Sequence, residues 1–347
     1  MSLSYQARTR IKRIFTVITV VLMVCVVAWL CWLVWLDRFV VYDRVAGVRL
    51  DFSQEDFQSG VPVRLPPARE PVRLVYQDQD LDGNTPAQTK PIAGYYISLD
   101  DLKINSKTGK SNIEAVRAQL EGLPEGSAVL LDVKNHLGAF YYSTMVGEKH
   151  PDNIDTAEID SLIEYLTGGK FYVIARLPAF RDRHFGLNNI PSGLSYEGGG
   201  GALWLDKGNA FWLNPTKEKP LSYLISITKE LKNMGFDEVV FTDFCFPDAD
   251  NLVFSGDREE AIANAAATLV TACAGSGFWV SFTGDAAFPL PQGNSRLYLE
   301  NIAAADVQTV AEQVATDDSS LHVLFYATSN DTRYNDYSVL RPLENAQ

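Results

Sequence analysis

The sequence is poor in the residues that build metal and redox sites. Its 347 residues include four cysteines and four histidines, and no CxxC or CxxH spacing occurs. Cys245 and Cys273 lie beyond the apolar N-terminal segment, and their separation leaves open whether they pair. The histidines are scattered, which favours surface or core roles over metal ligation. The sequence therefore predicts neither a metal nor a cofactor.

Nucleotide-binding motifs and an excess of basic residues are also missing. No GxGxxG follows the first predicted strand, no phosphate-binding loop occurs, and the run GGGG at 198–201 lies in a polar loop. Lys and Arg number 30 against 43 Asp and Glu, which gives a formal net charge of −13. Such a charge repels phosphate backbones, so we expect no nucleic-acid partner, although it also serves solubility.

One long apolar run is present near the N-terminus. Residues 14–36 carry no charge, and at about 1.5 Å per residue a helix of that length crosses a bilayer. Tryptophans near its end suit a membrane interface, and no small-residue cleavage site follows, so we expect a retained transmembrane helix. Residues 1–13 contain basic but no acidic side chains. The positive-inside rule then predicts a cytoplasmic tail and a single-pass protein whose remainder lies outside the bacterial cell membrane.

The composition and hydrophobic pattern of the chain change at about residue 90. Residues 37–90 are rich in proline, glycine and polar side chains, and we interpret them as a stalk or linker. From residue 91, apolar strands alternate with helices, as in a parallel sheet covered by helices. The predicted strands are 92–98, 128–133, 171–175, 238–242, 278–282 and 322–327, and the predicted helices are 112–120, 156–166, 221–234 and 257–274.

About six to eight such units over residues 91–347 predict an α/β fold, a (β/α)8 TIM-like barrel, with an open doubly wound sheet as the alternative. Residues 283–321 are short for two full units. A weak strand near 306–310 and an ambiguous segment near 295–299 leave open whether the barrel is complete, incomplete or degenerate.

The segment 235–247, GFDEVVFTDFCFP, is the most informative part of the chain. Its strand 238–242 is followed directly by Asp243, and Asp132 follows another predicted strand in the same way. In parallel α/β folds, catalytic groups collect at the carboxyl ends of the strands. Each acid also has a structural interpretation. Asp243 could cap a helix or fix a loop, and Asp132 could form a salt bridge to Lys134 or Arg176.

Five segments taken in order resemble the bacterial putative glycoside hydrolase domain family, a group of (β/α)8 barrels distantly similar to the α-amylase type. They are GYYIS, LLDVKNHLG, VIARLPAFRD, GGALWLDKGNAFWLNP and GFDEVVFTDFCFP, within residues 91–250. The resemblance implies a barrel that cleaves or binds sugar in a groove lined by the loops after these strands. In the family, acids stand after the phenylalanine of the fourth strand and at the fifth strand, and an Arg precedes the closing Phe-Pro. Here those positions are Thr242, Thr283 and Cys245.

The resemblance gives each candidate residue a role. Glycoside hydrolysis needs two carboxyl groups flanking one bond, and Asp243 and Asp132 are the predicted catalytic pair. Substrate binding is predicted for four further residues, as orienting or hydroxyl-binding cations or as stacking surfaces for sugar rings: Lys134, Arg176, Trp204 and Trp212. For the tryptophans, packing within the loop is the alternative.

Side chains alternate along a strand, so displacing Asp243 by one residue from the family's acid normally turns it away from the site, unless a bulge or the strand-to-loop transition restores it. Two hypotheses follow. The first is a glycoside hydrolase acting on cell-envelope or extracellular polysaccharide. The second is a catalytically degenerate barrel that binds glycan or a partner protein at the cell surface. Both predict a carbohydrate partner and membrane attachment through residues 14–36.

Overall fold

The computed structural model describes residues 22–24, 29, 40–43, 47–50, 90–105, 108–275, 277–327 and 329–343. The chain divides into two units, residues 1–78 and 79–347. In the first unit, strands β1 (Val40–Asp43) and β2 (Gly47–Leu50) pair antiparallel within the segment interpreted as a stalk.

The predicted membrane span lies mostly outside the described residues. Within 14–36, residues 22–24 and Trp29 are described, and they are helical. Among all the residues that were placed, no helix has the length and apolar character needed to cross a membrane. The span and the outward orientation of the barrel therefore stay predictions.

Eight parallel strands of the second unit close into a barrel, and the last pairs with the first. Around the barrel they are β3 (Ala93–Tyr96), β4 (Ala128–Asp132), β5 (Tyr172–Pro178), β7 (Glu238–Thr242), β9 (Trp279–Thr283), β10 (Leu297–Leu299), β11 (Val323–Tyr326) and β12 (Ser338–Pro342). A further pair, β6 (Ser195–Tyr196) and β8 (Leu252–Val253), is antiparallel and lies outside the barrel. The predicted (β/α)8 class is confirmed, and the barrel is closed.

The helices connect successive strands. They are α1 (Leu99–Leu102), α2 (Ile113–Glu121), α3 (Thr156–Leu166), α4 (Arg183–Asn188), α5 (Glu218–Asn233), α6 (Arg258–Cys273), α7 (Val307–Gln313) and α8 (Ser319–His322). The connection from β9 to β10, residues 284–296, contains no helix. The weak strand predicted near 306–310 is wrong, because Val307 and Ala311 are buried four residues apart on one face of α7.

Strand residues alternate between two hydrophobic clusters, as the pleat requires. On β4, Val129 and Leu131 pack under the helices, whereas Ala128 and Leu130 fill the barrel interior. Gly94 on β3 is required at its position, since a Cβ there would stand 1.9 Å from the carbonyl oxygen of Ala128. This alternation also determines which polar strand residues point into the barrel.

A buried polar network crosses the amino-terminal part of the interior. Glu238, the first residue of β7, is fully buried and forms an ion pair with Arg296. Its carboxylate also accepts hydrogen bonds from Tyr172 Oη at 2.8 Å, Ser281 Oγ at 2.5 Å and Tyr298 Oη at 2.9 Å. The network links β5, β7, β9 and β10 and forms a floor beneath the barrel mouth, in which the Glu238 carboxylate is fully paired and Nη2 of Arg296 has no hydrogen-bond partner in the described structure.

Candidate active site at the barrel mouth

A cavity of about 390 Å³ opens at the carboxyl ends of the strands. Three of its lining residues stand at or just after the ends of β4, β7 and β10, namely Asp132, Asp243 and Glu300, and a fourth, Arg176, lies near the end of β5. The structure therefore brings both predicted catalytic acids and the predicted Arg176 into one cavity. It adds Glu300, which the sequence analysis did not select.

Asp132 and Arg176 are neighbours across β4 and β5 and form a bidentate ion pair. The Arg176 Nε lies 2.6 Å from Asp132 Oδ1, and Nη2 lies 3.0 Å from Oδ2. The guanidinium also lies over the ring of Tyr326, 5.7 Å from its centroid. Burial would lower the pKa of Arg176, but the hydrogen bonds and charge of Asp132 raise it. Both carboxylate oxygens of Asp132 are thus already engaged, which is the salt-bridge alternative considered from the sequence.

Lys134 is also held within the protein. Its ammonium lies 2.6 Å from Asp182, and neither side chain is exposed. Asp182 caps α4 by accepting a hydrogen bond from the Phe185 amide at 2.8 Å, so the ion pair fixes the start of that helix. In this arrangement the charge of Lys134 is paired inside the protein, although the residue lines the mouth cavity.

The two predicted tryptophans differ in their surroundings. Trp212 is 7% exposed, and its indole N–H donates to Asp206 at 3.1 Å, beside the ion pair of Asp206 with Arg181. Burial would raise the pKa of Asp206, but hydrogen bonds from Ala210, Arg181 and Trp212 outweigh it and lower that pKa. Trp204 is half-buried against the core. Trp212 therefore packs within the loop, whereas part of the Trp204 side chain is accessible to solvent.

Asp243 has the most unusual backbone at the mouth. Its φ is +49°, in the left-handed region that a side chain rarely adopts. Such a conformation costs on the order of 1 kcal/mol and is often found at functional sites. It occurs directly after β7 ends, so the side chain no longer follows the strand's alternation, and it lines the mouth cavity. The strand-to-loop transition considered from the sequence is the arrangement found.

The Asp243 carboxylate has no hydrogen bond or ion pair with any described residue, and the side chain is half-buried. Burial raises its pKa, against the lowering effect of the nearby positive charges of Arg181 and His136. A raised pKa favours the protonated carboxyl, which is the form that can donate a proton.

Glu300 is the residue that sequence reasoning missed. It directly follows β10, and Tyr298, two residues earlier, faces the barrel interior, so Glu300 continues the inner face. Glu300 is exposed, lines the mouth, and has no hydrogen bond or ion pair with another described residue. Burial raises the pKa of Tyr326, and the charge of Glu300 adds to the increase. The pattern LYLE, a short apolar strand followed by an acid, repeats the signal of Asp243 in VVFTD.

No group of three or more potential metal ligands occurs in the described ranges. Cys245 and Cys273 are both free, which answers the question of their pairing. Cys245 is exposed, but partial desolvation of its thiol raises the pKa to about 11, and the charge of Asp243 contributes.

A closed parallel barrel with unpaired carboxyl groups at its carboxyl-terminal mouth offers the kind of groups that glycoside hydrolysis needs. Residues 103–274 match the family described as "Putative glycosyl hydrolase domain". This match confirms the family resemblance drawn from the sequence. No curated protein matches the sequence.

Solved structures similar to this chain have low sequence identity to it. The glycoside hydrolase domain of PgaB (BpsB) from Bordetella bronchiseptica has 11% identity and a TM-score of 0.52, covering 72% of this chain and 94% of its own. A hypothetical protein from Ruminiclostridium thermocellum ATCC 27405 has 22% identity and a TM-score of 0.44, covering 54% of this chain and 96% of its own. The exo-β-N-acetylglucosaminidase from Vibrio harveyi has 10% identity and a TM-score of 0.46, covering 74% of this chain and 46% of its own. The PgaB similarity supports the barrel fold.

Proposed function

We propose that the chain is a glycoside hydrolase that cleaves polysaccharide of the cell envelope or the extracellular space, with its active site at the barrel mouth. The observation that carries this proposal is Asp243, a half-buried carboxyl with a raised pKa and no partner in the described structure. The predicted membrane anchor would place the mouth near such a polymer.

The two carboxyl groups of the mechanism are Asp243 and Glu300. Asp243 is the general acid, because burial favours its protonated form and a proton can then be given to the glycosidic oxygen. Glu300 is the second carboxyl, because it is exposed and unpaired at the same mouth. It attacks the anomeric carbon or deprotonates the attacking water. The ion pair of Asp132 with Arg176 gives Asp132 a positioning part in this proposal.

The second candidate function is a barrel that binds glycan without cleaving it. It is favoured by the pairing, within the protein, of three charged side chains that line the mouth, namely Asp132, Lys134 and Arg176. Such a protein would retain glycan but would not need Asp243 or Glu300 to be ionisable.

Release of reducing ends from envelope and extracellular polysaccharides separates the two functions. Asp243→Asn and Glu300→Gln should each lower turnover by about 100-fold or more while the fold survives, because each removes the charge and keeps the size. Asp248→Asn is the matched control, since Asp248 is an exposed acid of the same loop that lines neither the mouth nor the neighbouring cavity. Wild-type protein that retains glycan but releases no reducing ends would contradict the hydrolase.

A further inference from the structure

A second cavity lies beside the mouth. It measures about 480 Å³, within the range of about 300–1,000 Å³ typical of small-molecule sites. It lies between the loop after β7, the loop after β9 and the first turns of α6. Asp243 lines both cavities, whereas Glu300 lines the mouth and not the second cavity. The proposed acid therefore stands at the boundary between two compartments.

The deep wall of the second cavity is aromatic and held in place by the barrel core. Phe244 and Phe288 line the cavity and are buried. Both rings pack against Phe282 of β9, with centroid distances of 4.6 Å and 5.3 Å. Because Phe282 belongs to the core, the wall is formed before any ligand binds.

The rim of the same cavity is polar. Arg258 lies over the ring of Phe246, 5.6 Å from its centroid, and so brings N–H donors to the edge of the aromatic wall. Glu259 and Asp285 are exposed and line the cavity. The Oγ1 of Thr283 is buried, lines the cavity and has no hydrogen-bond partner among the described residues. An aromatic wall with donors and acceptors at its edge fits a pyranose ring, which has apolar faces and a rim of hydroxyl groups.

We infer that the second cavity binds a pyranose unit on the leaving-group side of the scissile bond. This inference rests on the proposed function and assigns the direction of the polymer in the groove. Glu300 acts from the mouth, so the sugar whose anomeric carbon is attacked lies there. Asp243 protonates the glycosidic oxygen at the boundary, so the sugar that departs with this oxygen lies in the second cavity.

The step balances with water as the second substrate. The bond from the anomeric carbon to the glycosidic oxygen breaks, and its electron pair stays on that oxygen, which takes the proton of Asp243. The leaving sugar departs as an alcohol. The anomeric carbon forms its new bond to Glu300, with later hydrolysis by water, or directly to a water that gives its proton to Glu300.

The rate at which a thiol reagent modifies Cys245 reports whether the second cavity is occupied, and this measurement does not depend on turnover. Cys245 is exposed and lines this cavity, whereas Cys273 is buried elsewhere. The full-length protein is treated at alkaline pH with a methanethiosulfonate reagent, with and without oligosaccharides from partial acid hydrolysis of the polysaccharides used in the turnover assay. Modification of Cys245 is followed by peptide mass mapping. Oligosaccharide should slow it several-fold.

Two variants test the cavity itself. Ala287→Trp adds a large ring at an exposed lining position, so it should abolish protection and lower oligosaccharide turnover at least about 10-fold while the fold survives. Phe246→Ala should weaken protection about fivefold, the loss expected for one aromatic contact. Tyr196→Ala is the control, because Tyr196 is an exposed aromatic outside the cavity. In this variant, oligosaccharide should protect Cys245 as well as it does in the wild type.

The outcomes distinguish this inference from the proposed function. Cleavage without protection of Cys245 would overturn the leaving-group site and leave the hydrolase standing. Protection without any cleavage would overturn both the hydrolase and the leaving-group assignment, since no bond would then be broken. Protection that survives in Ala287→Trp would place the ligand outside the second cavity and contradict the inference.

Discussion

Two carboxyl groups at opposite ends of β7 have opposite surroundings. Glu238 begins β7 and accepts hydrogen bonds from two tyrosines and a serine in addition to its ion pair with Arg296. Asp243 follows the end of β7, and its carboxylate has no hydrogen bond or ion pair in the described part of the chain. Only five positions separate a fully satisfied acid from an unsatisfied one.

The difference separates a paired acid at the floor, which suits stability, from an unpaired acid at the mouth, which suits the proposed function. A buried charge is tolerated when its partners are complete, and the Glu238 carboxylate meets this condition at the barrel floor. An acid left without partners at the mouth lowers stability, and in the proposed function it keeps a reactive proton available, as expected where function opposes stability. The Asp132–Arg176 pair lies between these cases, since it is at the mouth but already paired.

The largest effect is expected at the floor. Arg296→Met should leave the Glu238 charge buried without its cation and lower the free energy of unfolding by about 3–5 kcal/mol. Urea denaturation followed by circular dichroism measures this loss. Arg333→Met is the control, because Arg333 pairs with Asp331 at the surface, and it should leave the unfolding midpoint nearly unchanged. A small effect at Arg296 would show that the floor does not depend on this ion pair.

Asp132→Asn should have an intermediate effect. It removes the charge that accepts two hydrogen bonds from Arg176, so the free energy of unfolding should fall by about 1.5–3 kcal/mol. Turnover should fall less than in Asp243→Asn, since the proposed mechanism has Asp132 position Arg176 and Asp243 transfer the proton. Stability equal to wild type together with complete loss of turnover would instead make Asp132 the second catalytic carboxyl.

Much of the barrel was predictable from the sequence. The helix 156–166 was predicted at its observed bounds, and so was the strand 238–242, because a long amphipathic period and a buried apolar run bounded by charge are strong signals. β10 is only three residues long and β12 includes an Arg and a Pro, so neither gave a clear strand pattern. These two strands complete the closure, which is why the sequence left it open.

The site was predictable in part, and the missing part follows from β10. An acid at a strand end is recognised only once the strand is recognised, so Glu300 escaped notice. Partners are harder still, since the pairing of Asp132 with Arg176 depends on strand register, and that of Lys134 with Asp182 depends on where α4 begins. Position 243 is not a glycine, so the sequence did not indicate the left-handed φ of Asp243. The strand-to-loop transition could therefore be considered only as one alternative.

The smallest expected effect is on the stability of Asp243→Asn. It tests the central claim, that the Asp243 carboxyl lacks partners and so retains a proton that it can donate. Its pKa is raised in the folded state, so the wild type loses stability as pH rises from the ordinary Asp pKa of 3.8 through the raised value. Asparagine does not titrate there. Asp243→Asn should therefore match the wild type at a pH below 3.8, where the carboxyl is protonated in both states, and should become the more stable protein by neutral pH.

The direct measurement is the free energy of unfolding of Asp243→Asn and wild type by urea denaturation across this pH range. The account predicts that the stability difference in favour of the asparagine grows with pH. An asparagine variant less stable than wild type at neutral pH would show that the Asp243 carboxylate has partners it depends on, and would contradict the account.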